Sequence, residues 1–149
     1  MSENKSFNFK SFVSANAGKH VSSADYLRAV HVANDLPADF IVCFSRLFWP
    51  EFKILNGAVY LSELFESERY ETLASDETSP TEIQFWMNLI EITGLFDELP
   101  LDDAIFIAEA LSSSWNSKMA LELESVPTPA RAIIDNESGE VFVTIGKAE

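Results

Sequence analysis

The sequence predicts an α+β fold, a helix-rich single domain with two β-hairpins that can form one antiparallel sheet. Most apolar residues recur at helical spacing, in segments long enough for several helical turns. Two short β-rich runs each flank a turn signal, Asn56-Gly57 near the middle of the chain and residues 136–139 near its end. The length of 149 residues, with 47 % hydrophobic residues, is sufficient for one domain with a sizeable core.

The first half of the predicted domain begins with helices. The domain spans residues 1–149, of which residues 1–20 are weakly patterned and are expected to be irregular. Ser22 or Ser23 then provides the N-cap of a short amphipathic helix. The next helix lies within residues 37–49 and is apolar over a broad face, so we predict that it is central to the core.

A further helix is predicted over residues 62–74, directly after the first hairpin, with Ser62 as its N-cap. Glu63 and Glu66 fall in its first turn, where the positive end of the helix dipole favours acidic side chains. The inward side of this helix is predicted to consist of Leu64, Phe65, Tyr70 and Leu73.

Two longer apolar segments predict the remaining helices, over residues 79–92 and residues 99–124. In the first, Gln84, Asn88 and Glu91 form a narrow polar stripe, so we expect protein to surround most of this helix. Three consecutive serines are expected to weaken the middle of the second. The most apolar helical faces supply the predicted core, which consists of Phe44, Leu47, Phe48, Trp86, Leu89, Ile90 and Ile105.

No group of residues has the spacing of a metal site or of a catalytic motif. His20, His31 and the single cysteine, Cys43, include no close pair of ligands such as a zinc site requires. Cys43 lies on an apolar helical face and is predicted to be buried. The G-x-S-x-G, P-loop and G-x-G-x-x-G motifs are also absent from the sequence. The sequence therefore predicts no cofactor and no metal, and it does not indicate an enzyme.

Cysteine usage and hydropathy favour a cytoplasmic location. A single cysteine cannot form an intramolecular disulfide, which suits a reducing compartment. The N-terminal segment has no apolar run of signal-peptide length. The chain also lacks the run of about 18 apolar residues that a membrane-spanning helix requires.

Negative charge is concentrated in one part of the chain. The formal net charge is −14, and residues 63–103 contribute −11 of it, with twelve acidic residues and one basic residue, Arg69. A field of this sign repels DNA, RNA and anionic lipids, and it attracts basic proteins. The sequence therefore predicts a docking surface for a basic protein partner. Its candidate residues are Glu63, Glu66, Glu68, Glu71, Asp76 and Glu77.

Three other interpretations stay open. The acidic segment can be a solvated surface that serves solubility alone. The protein can also be a small enzyme or a ligand-binding protein with a pocket among the helices, or a DNA mimic that inhibits a DNA-binding protein. A deep polar pocket with converging carboxylates or histidines would favour an enzyme or a ligand-binding protein. A solid core with a flat acidic face would favour the docking surface.

Two segments, RLFWPEFKILNGAVYLSELFESE at residues 46–68 and FWMNLIEITGLFDEL at residues 85–99, carry a family resemblance. Together with the size and the acidic balance of the chain, they resemble immunity proteins of bacterial contact-dependent growth inhibition and other polymorphic toxin systems. The resemblance implies a cytoplasmic protein that inhibits a cognate nuclease toxin by occluding its basic active site. It includes no diagnostic motif, so no site residue is transferred from it.

Overall fold

The computed structural model describes residues 7–125 and 128–147 of the chain. These residues contain seven α-helices, one 3₁₀ turn (Ser62–Leu64) and five β-strands, so the predicted α+β class is confirmed. The chain divides into two compact units, residues 1–42 and residues 43–149. The helices are α1 (Phe9–Ala15), α2 (Ser23–Asn34), α3 (Ala38–Phe48), α4 (Ser67–Ser75), α5 (Pro80–Met87), α6 (Ile92–Leu95) and α7 (Leu101–Glu122). The strands are β1 (Phe52–Leu55), β2 (Ala58–Leu61), β3 (Ile90–Glu91), β4 (Ala130–Asp135) and β5 (Glu140–Ile145).

The smaller unit contains two capped helices and an aromatic cluster. Asn8 caps α1 and Ser22 caps α2, each in a capping box with the residue three positions later. Three phenylalanine rings pack around Tyr26 at centroid distances of 5.4, 5.6 and 5.7 Å. The Tyr26 hydroxyl donates to the Phe7 carbonyl at 2.7 Å. Ser22 is one of the two predicted N-caps, whereas α1 is a helix that the weak hydrophobic pattern of residues 1–20 did not predict.

The larger unit contains two antiparallel sheets instead of the single sheet that two hairpins can form. β1 and β2 form the predicted hairpin around Asn56 and Gly57, whose φ angles of 50° and 77° have the sign this turn requires. β4 and β5 form the second predicted hairpin, and β3 pairs with the other edge of β5. The hairpins do not pair with each other, because side chains of α5 and of its C-cap residue occupy the free edge of β2.

Side-chain amides of α5 and its C-cap take the place of a neighbouring strand at this edge. The Val59 N–H donates to Gln84 Oε1 at 2.9 Å. Asn88 accepts from the Leu61 N–H through Oδ1 at 2.8 Å and donates to the Val59 carbonyl through Nδ2 at 2.8 Å. Gln84 is 3 % exposed and Asn88 is fully buried. The amides therefore supply the partners that buried backbone groups require.

The same helix also contacts the three-stranded sheet. Thr144 Oγ1 on β5 donates to the Phe85 carbonyl at 2.7 Å. Gly146 follows β5 with a φ angle of 106°, and a Cβ at this position would lie 2.8 Å from Gln84 Nε2. Glycine therefore allows the end of β5 to approach α5 closely. α5 connects the two sheets, although no ladder joins them.

The main core of the larger unit packs around α7. Trp115 is fully buried there, and its Nε1 donates to the Leu47 carbonyl at 2.8 Å. The other buried members of this cluster are Val59, Leu61, Ile92, Ala104, Ala108, Leu111, Met119, Ala130, Val141, Val143 and Ile145. A second core cluster lies between β2 and α5, and its buried members are Ala58, Tyr60, Ile83 and Met87.

α7 runs without a break through the three serines that were expected to weaken it. Ser112 Oγ donates to the Glu109 carbonyl within the helix, whereas Ser114 Oγ donates to the Phe48 carbonyl of α3. The serine at 114 thus contributes a tertiary bond that the local pattern does not reveal. In the described part of the chain, neither α7 nor any other helix combines the length and the hydrophobicity needed to cross a membrane.

Two members of the predicted core are exposed. Phe44 is 39 % exposed and Trp86 is 44 % exposed, so the prediction that they are buried is wrong. α3, predicted to be central to the core, contains no buried residue. Trp86 faces outward because Gln84 and Asn88 face β2, and two positions along a helix turn a side chain by about 200°. The remaining predicted members are half-buried: Leu47, Phe48, Leu89, Ile90 and Ile105.

The helix predicted over residues 79–92 is wrong in its second half. α5 ends at Met87, and Ile90 and Glu91 form β3 against β5. A separate short helix, α6, begins at Ile92. Pairing with β5 therefore makes Ile90 and Glu91 a strand, although the apolar pattern of the sequence predicts that the helix continues through them.

Replacing Asn88 tests the amide bonds at β2. We expect Asn88→Ala to lower the free energy of unfolding by about 1–3 kcal/mol for each of the two backbone groups it leaves buried and unpaired. Urea denaturation measures the effect. Asn136→Ala, in the exposed turn of the second hairpin, is the matched control and should change stability by no more than about 0.5 kcal/mol. Equal effects of the two substitutions would contradict the role of Asn88.

Tyr60 makes the stability of the protein depend on pH in the alkaline range. Burial, together with the neighbouring Tyr70, raises the pKa of Tyr60 from 10.0 to about 12. Because the unfolded chain releases this proton first, the stabilising contribution is complete below pH 10.0 and is lost as the pH rises toward about 12. We expect the urea midpoint of the natural chain to fall more steeply over this interval than that of Tyr60→Phe. Parallel profiles would rule out this linkage.

Candidate functional site

The larger unit carries the net charge of the protein. Residues 43–149 contain six basic and twenty acidic residues, a formal charge of −14, whereas residues 1–42 contain four of each and are neutral. The candidate docking residues lie in the larger unit and are all exposed: Glu63, Glu66, Glu68, Glu71, Asp76 and Glu77.

The helix predicted over residues 62–74 begins later than expected. Ser62–Leu64 forms the 3₁₀ turn, and the two residues after it are extended, so α4 starts only at position 67. The first extended residue, Phe65, is half-buried against the second core cluster, and this packing competes with a continuous helix. Glu63 and Glu66 therefore do not share the first turn of one helix, and that prediction is wrong.

α4 directs two glutamates toward solvent. Tyr70 and Leu73 are half-buried and pack against the second core cluster. Glu68 and Glu71 are exposed, and their spacing of three positions places them on the same side of the helix. The two carboxylates therefore lie on one outer face of a helix whose other face is anchored in the protein.

The basic residue of the acidic segment is bonded to α5. Arg69 Nη2 donates to the Trp86 carbonyl at 3.3 Å. Trp86 is itself 44 % exposed, so an indole accessible to solvent adjoins the acidic helix. Sequence reasoning missed this residue, because it assigned Trp86 to the core.

The C-terminal end of α4 carries acidic residues where the helix dipole disfavours them. Asp76 is the C-cap, Glu77 follows it, and the last turn contains no basic residue. An acidic group at this end costs about 0.3–1 kcal/mol. Glu77 also has a φ angle of 59°, in the left-handed region that costs a residue other than glycine about 1–2 kcal/mol. The left-handed conformation ends α4 in a Schellman motif, in which the N–H groups of Glu77 and Thr78 donate to the Ala74 and Leu73 carbonyls at 3.3 and 3.2 Å. Glycine would form the same motif without this backbone cost.

The acidic side chains of this segment have no basic partner in the described part of the chain. Among residues 7–125 and 128–147, the one ion pair within 4.0 Å joins Lys118 to Glu122 at 3.3 Å. The negative potential of the segment is therefore not neutralised by neighbouring cations of the protein.

Glu63 lies in a different setting from the other candidates, because it lines a cleft of about 430 Å³. Sequence reasoning missed the remaining residues of this cleft, since they are scattered along the chain. They are Arg46, Trp49, Pro50, Glu51 and Lys118.

Three donors on α7 hold the chain that forms one wall of the cleft. They bond carbonyls at the C-terminal end of α3 and just beyond it, where a helix leaves its own carbonyls without partners. The bonds run from Ser114 to Phe48, from Trp115 to Leu47 and from Lys118 to Pro50. α7 thereby fixes the position of the segment that carries Trp49 and Glu51.

Lys118 is a buried cation, with 6 % exposure. Its Nζ lies 3.3 Å from Glu122 Oε1 and faces the rings of Trp49 and Phe52 at 5.7 and 5.6 Å. One signal in the sequence could have identified it: a lysine within the apolar stripe of α7, three positions after Trp115.

The candidate metal and nucleophile residues do not form a site in the described part of the chain. Among these residues, no group of three or more histidine, cysteine or acidic side chains is placed to hold a metal ion. Cys43 is exposed, so the prediction that it is buried is wrong. Its helical face is less covered than the apolar pattern of α3 suggested.

Glu77→Gly tests whether the glutamate at this position lowers the stability of the fold. We expect the variant to raise the free energy of unfolding by about 1 kcal/mol, because glycine adopts the left-handed conformation freely and the acidic group at the end of α4 is lost. Glu98→Gly, at another exposed residue with a φ angle of 59°, is the matched control outside α4. Glu98→Gly should raise the free energy of unfolding less than Glu77→Gly does. A thermal midpoint for Glu77→Gly below that of the natural chain would contradict this expectation.

Comparison with known proteins found no matching family model, no matching curated protein and no matching solved structure.

Proposed function

We propose that this protein is an acidic binding protein that neutralises a basic partner, and specifically an immunity protein that inhibits a cognate nuclease toxin by occluding its active site. The observation that carries the proposal is the group of exposed carboxylates at residues 66–77, which have no basic partner in the described part of the chain. A nuclease holds phosphates in a basic cleft, so such a surface is complementary to it in charge.

The placement of Asp76 and Glu77 supports a role outside the fold. Both acidic groups oppose the dipole of α4, and Glu77 adds backbone strain. Acidic side chains at a helix end that disfavours them are a local inconsistency of the kind expected at functional surfaces.

The setting of α4 suits a docking surface. Its inner face is anchored through Tyr70 and Leu73, so Glu68 and Glu71 are held on a defined outer face. Trp86 beside this helix can serve as an aromatic anchor, a residue type enriched among the side chains that dominate interface energies. The mechanism requires no chemistry by this protein, because covering the cleft of the toxin excludes its substrate.

The direct test examines the gene immediately upstream, where the proposed function predicts a toxin. The C-terminal domain of the product of the upstream gene should degrade nucleic acid alone and should lose this activity when the purified protein is added at equal concentration. Stopped-flow association at rising salt should show an on-rate that falls more strongly than the off-rate rises, because screening acts within about 8 Å at physiological ionic strength. Full nuclease activity in the presence of excess protein would refute the proposal.

Charge reversal locates the surface. We expect Glu68→Lys/Glu71→Lys to weaken toxin binding by more than about tenfold, mainly through the association rate, with the thermal midpoint nearly unchanged. Glu137→Lys/Glu140→Lys, at exposed positions of the second hairpin, is the control with the same change in net charge. If both double variants bind equally well, the acidic segment is not the docking surface.

A further inference from the structure

The cleft beside α3 contains opposite charges that do not neutralise each other. Arg46, Glu51 and Glu63 line it, and in the described part of the chain their side chains form no ion pair within 4.0 Å and no hydrogen bond. Unlike charges that share a small space normally approach one another. The guanidinium and the two carboxylates thus line one cleft at separations greater than 4.0 Å.

Lys118 also lines the cleft, but its ammonium group already has partners within the protein and is not available to a ligand. Its ammonium group donates to the Pro50 carbonyl, pairs with Glu122 and faces the Trp49 ring. The groups left to a ligand are therefore the guanidinium of Arg46 and the carboxylates of Glu51 and Glu63. A simple anion meets two carboxylates here, and a simple cation meets the guanidinium, so the lining favours a ligand that carries both charges.

An apolar recess adjoins the cleft. It has a volume of about 60 Å³ and shares Arg46, Pro50 and Glu63 with the cleft. The rest of its lining consists of aliphatic and aromatic residues: Leu47, Leu61, Leu64, Ile90 and Trp115. A ligand that bridges the charges can therefore place a short apolar group in this recess.

We propose that this cleft binds a free α-amino acid with an aliphatic side chain, as the zwitterion. Its carboxylate accepts from the Arg46 guanidinium, whose fork of donors fits a carboxylate. Its ammonium group donates to Glu51 and Glu63, and its side chain enters the recess beside Leu61. The cleft volume of about 430 Å³ lies within the range of about 300–1,000 Å³ typical of small-molecule sites.

Titration calorimetry of the full chain with L-leucine tests this site. We expect a dissociation constant below about 1 mM. L-leucinamide lacks the carboxylate and N-acetyl-L-leucine lacks the ammonium group, and each should bind at least about tenfold more weakly. Glycine, which leaves the recess empty, should also bind more weakly than leucine. No heat of binding with leucine at about 10 mM, or equal binding of leucine and its two blocked analogues, would overturn the proposal.

Variants assign the binding to the cleft. Arg46→Gln and Glu63→Gln should each weaken leucine binding at least about tenfold. Arg28→Gln and Glu137→Gln, at exposed residues that do not line the cleft, are the matched controls and should leave leucine binding unchanged. Thermal unfolding of each variant checks that the fold is intact. Leucine binding that survives both cleft substitutions in folded protein would overturn the assignment.

This proposal does not depend on the proposed immunity function. Glu68→Lys/Glu71→Lys should bind leucine like the natural chain, because these residues do not line the cleft. Failure of toxin inhibition with retained leucine binding would refute the immunity function alone. The reverse result would refute the amino-acid site alone.

Discussion

The free edge of β2 is the constraint on which the rest of the larger unit depends. All four residues of β2 are buried, so the backbone groups that β1 leaves unpaired cannot bond to water. Gln84 and Asn88 supply the missing partners, and the same helix accepts a bond from Thr144 and closes against Gly146. One short helix therefore joins a hairpin and a three-stranded sheet that share no ladder.

The inward position of these amides decides what the outer side of α5 presents. It turns Trp86 toward solvent, and the Trp86 carbonyl, which lies in the last turn of α5, accepts from Arg69 on α4. α7 acts on α3 in the same manner, since Trp115, Ser114 and Lys118 bond carbonyls at the end of that helix. In both places a helix bonds a strand edge or a helix end through side chains. Both candidate sites adjoin elements fixed in this way.

The two candidate sites differ in their physics. The carboxylates on and after α4 are exposed and unpaired within the described residues, so they act at a distance and need a partner with a basic surface. The cleft holds opposite charges within a small volume and acts by contact. Glu63 is a candidate for both sites. The charge distribution of the sequence assigns it to the docking surface, whereas in the structure it lies in the 3₁₀ turn and lines the cleft.

The sequence by itself determined the features that depend on near neighbours: both hairpins, the cap of α2 and the concentration of charge. Only the tertiary structure decided that Gln84 faces inward, that α4 starts late and that Lys118 is buried. Gln84 bonds a residue 25 positions away, and Lys118 bonds one 68 positions away. A hydrophobic pattern records how apolar each position is. Which polar side chains must lie inside depends on the strand edges and helix ends that the folded chain leaves without partners.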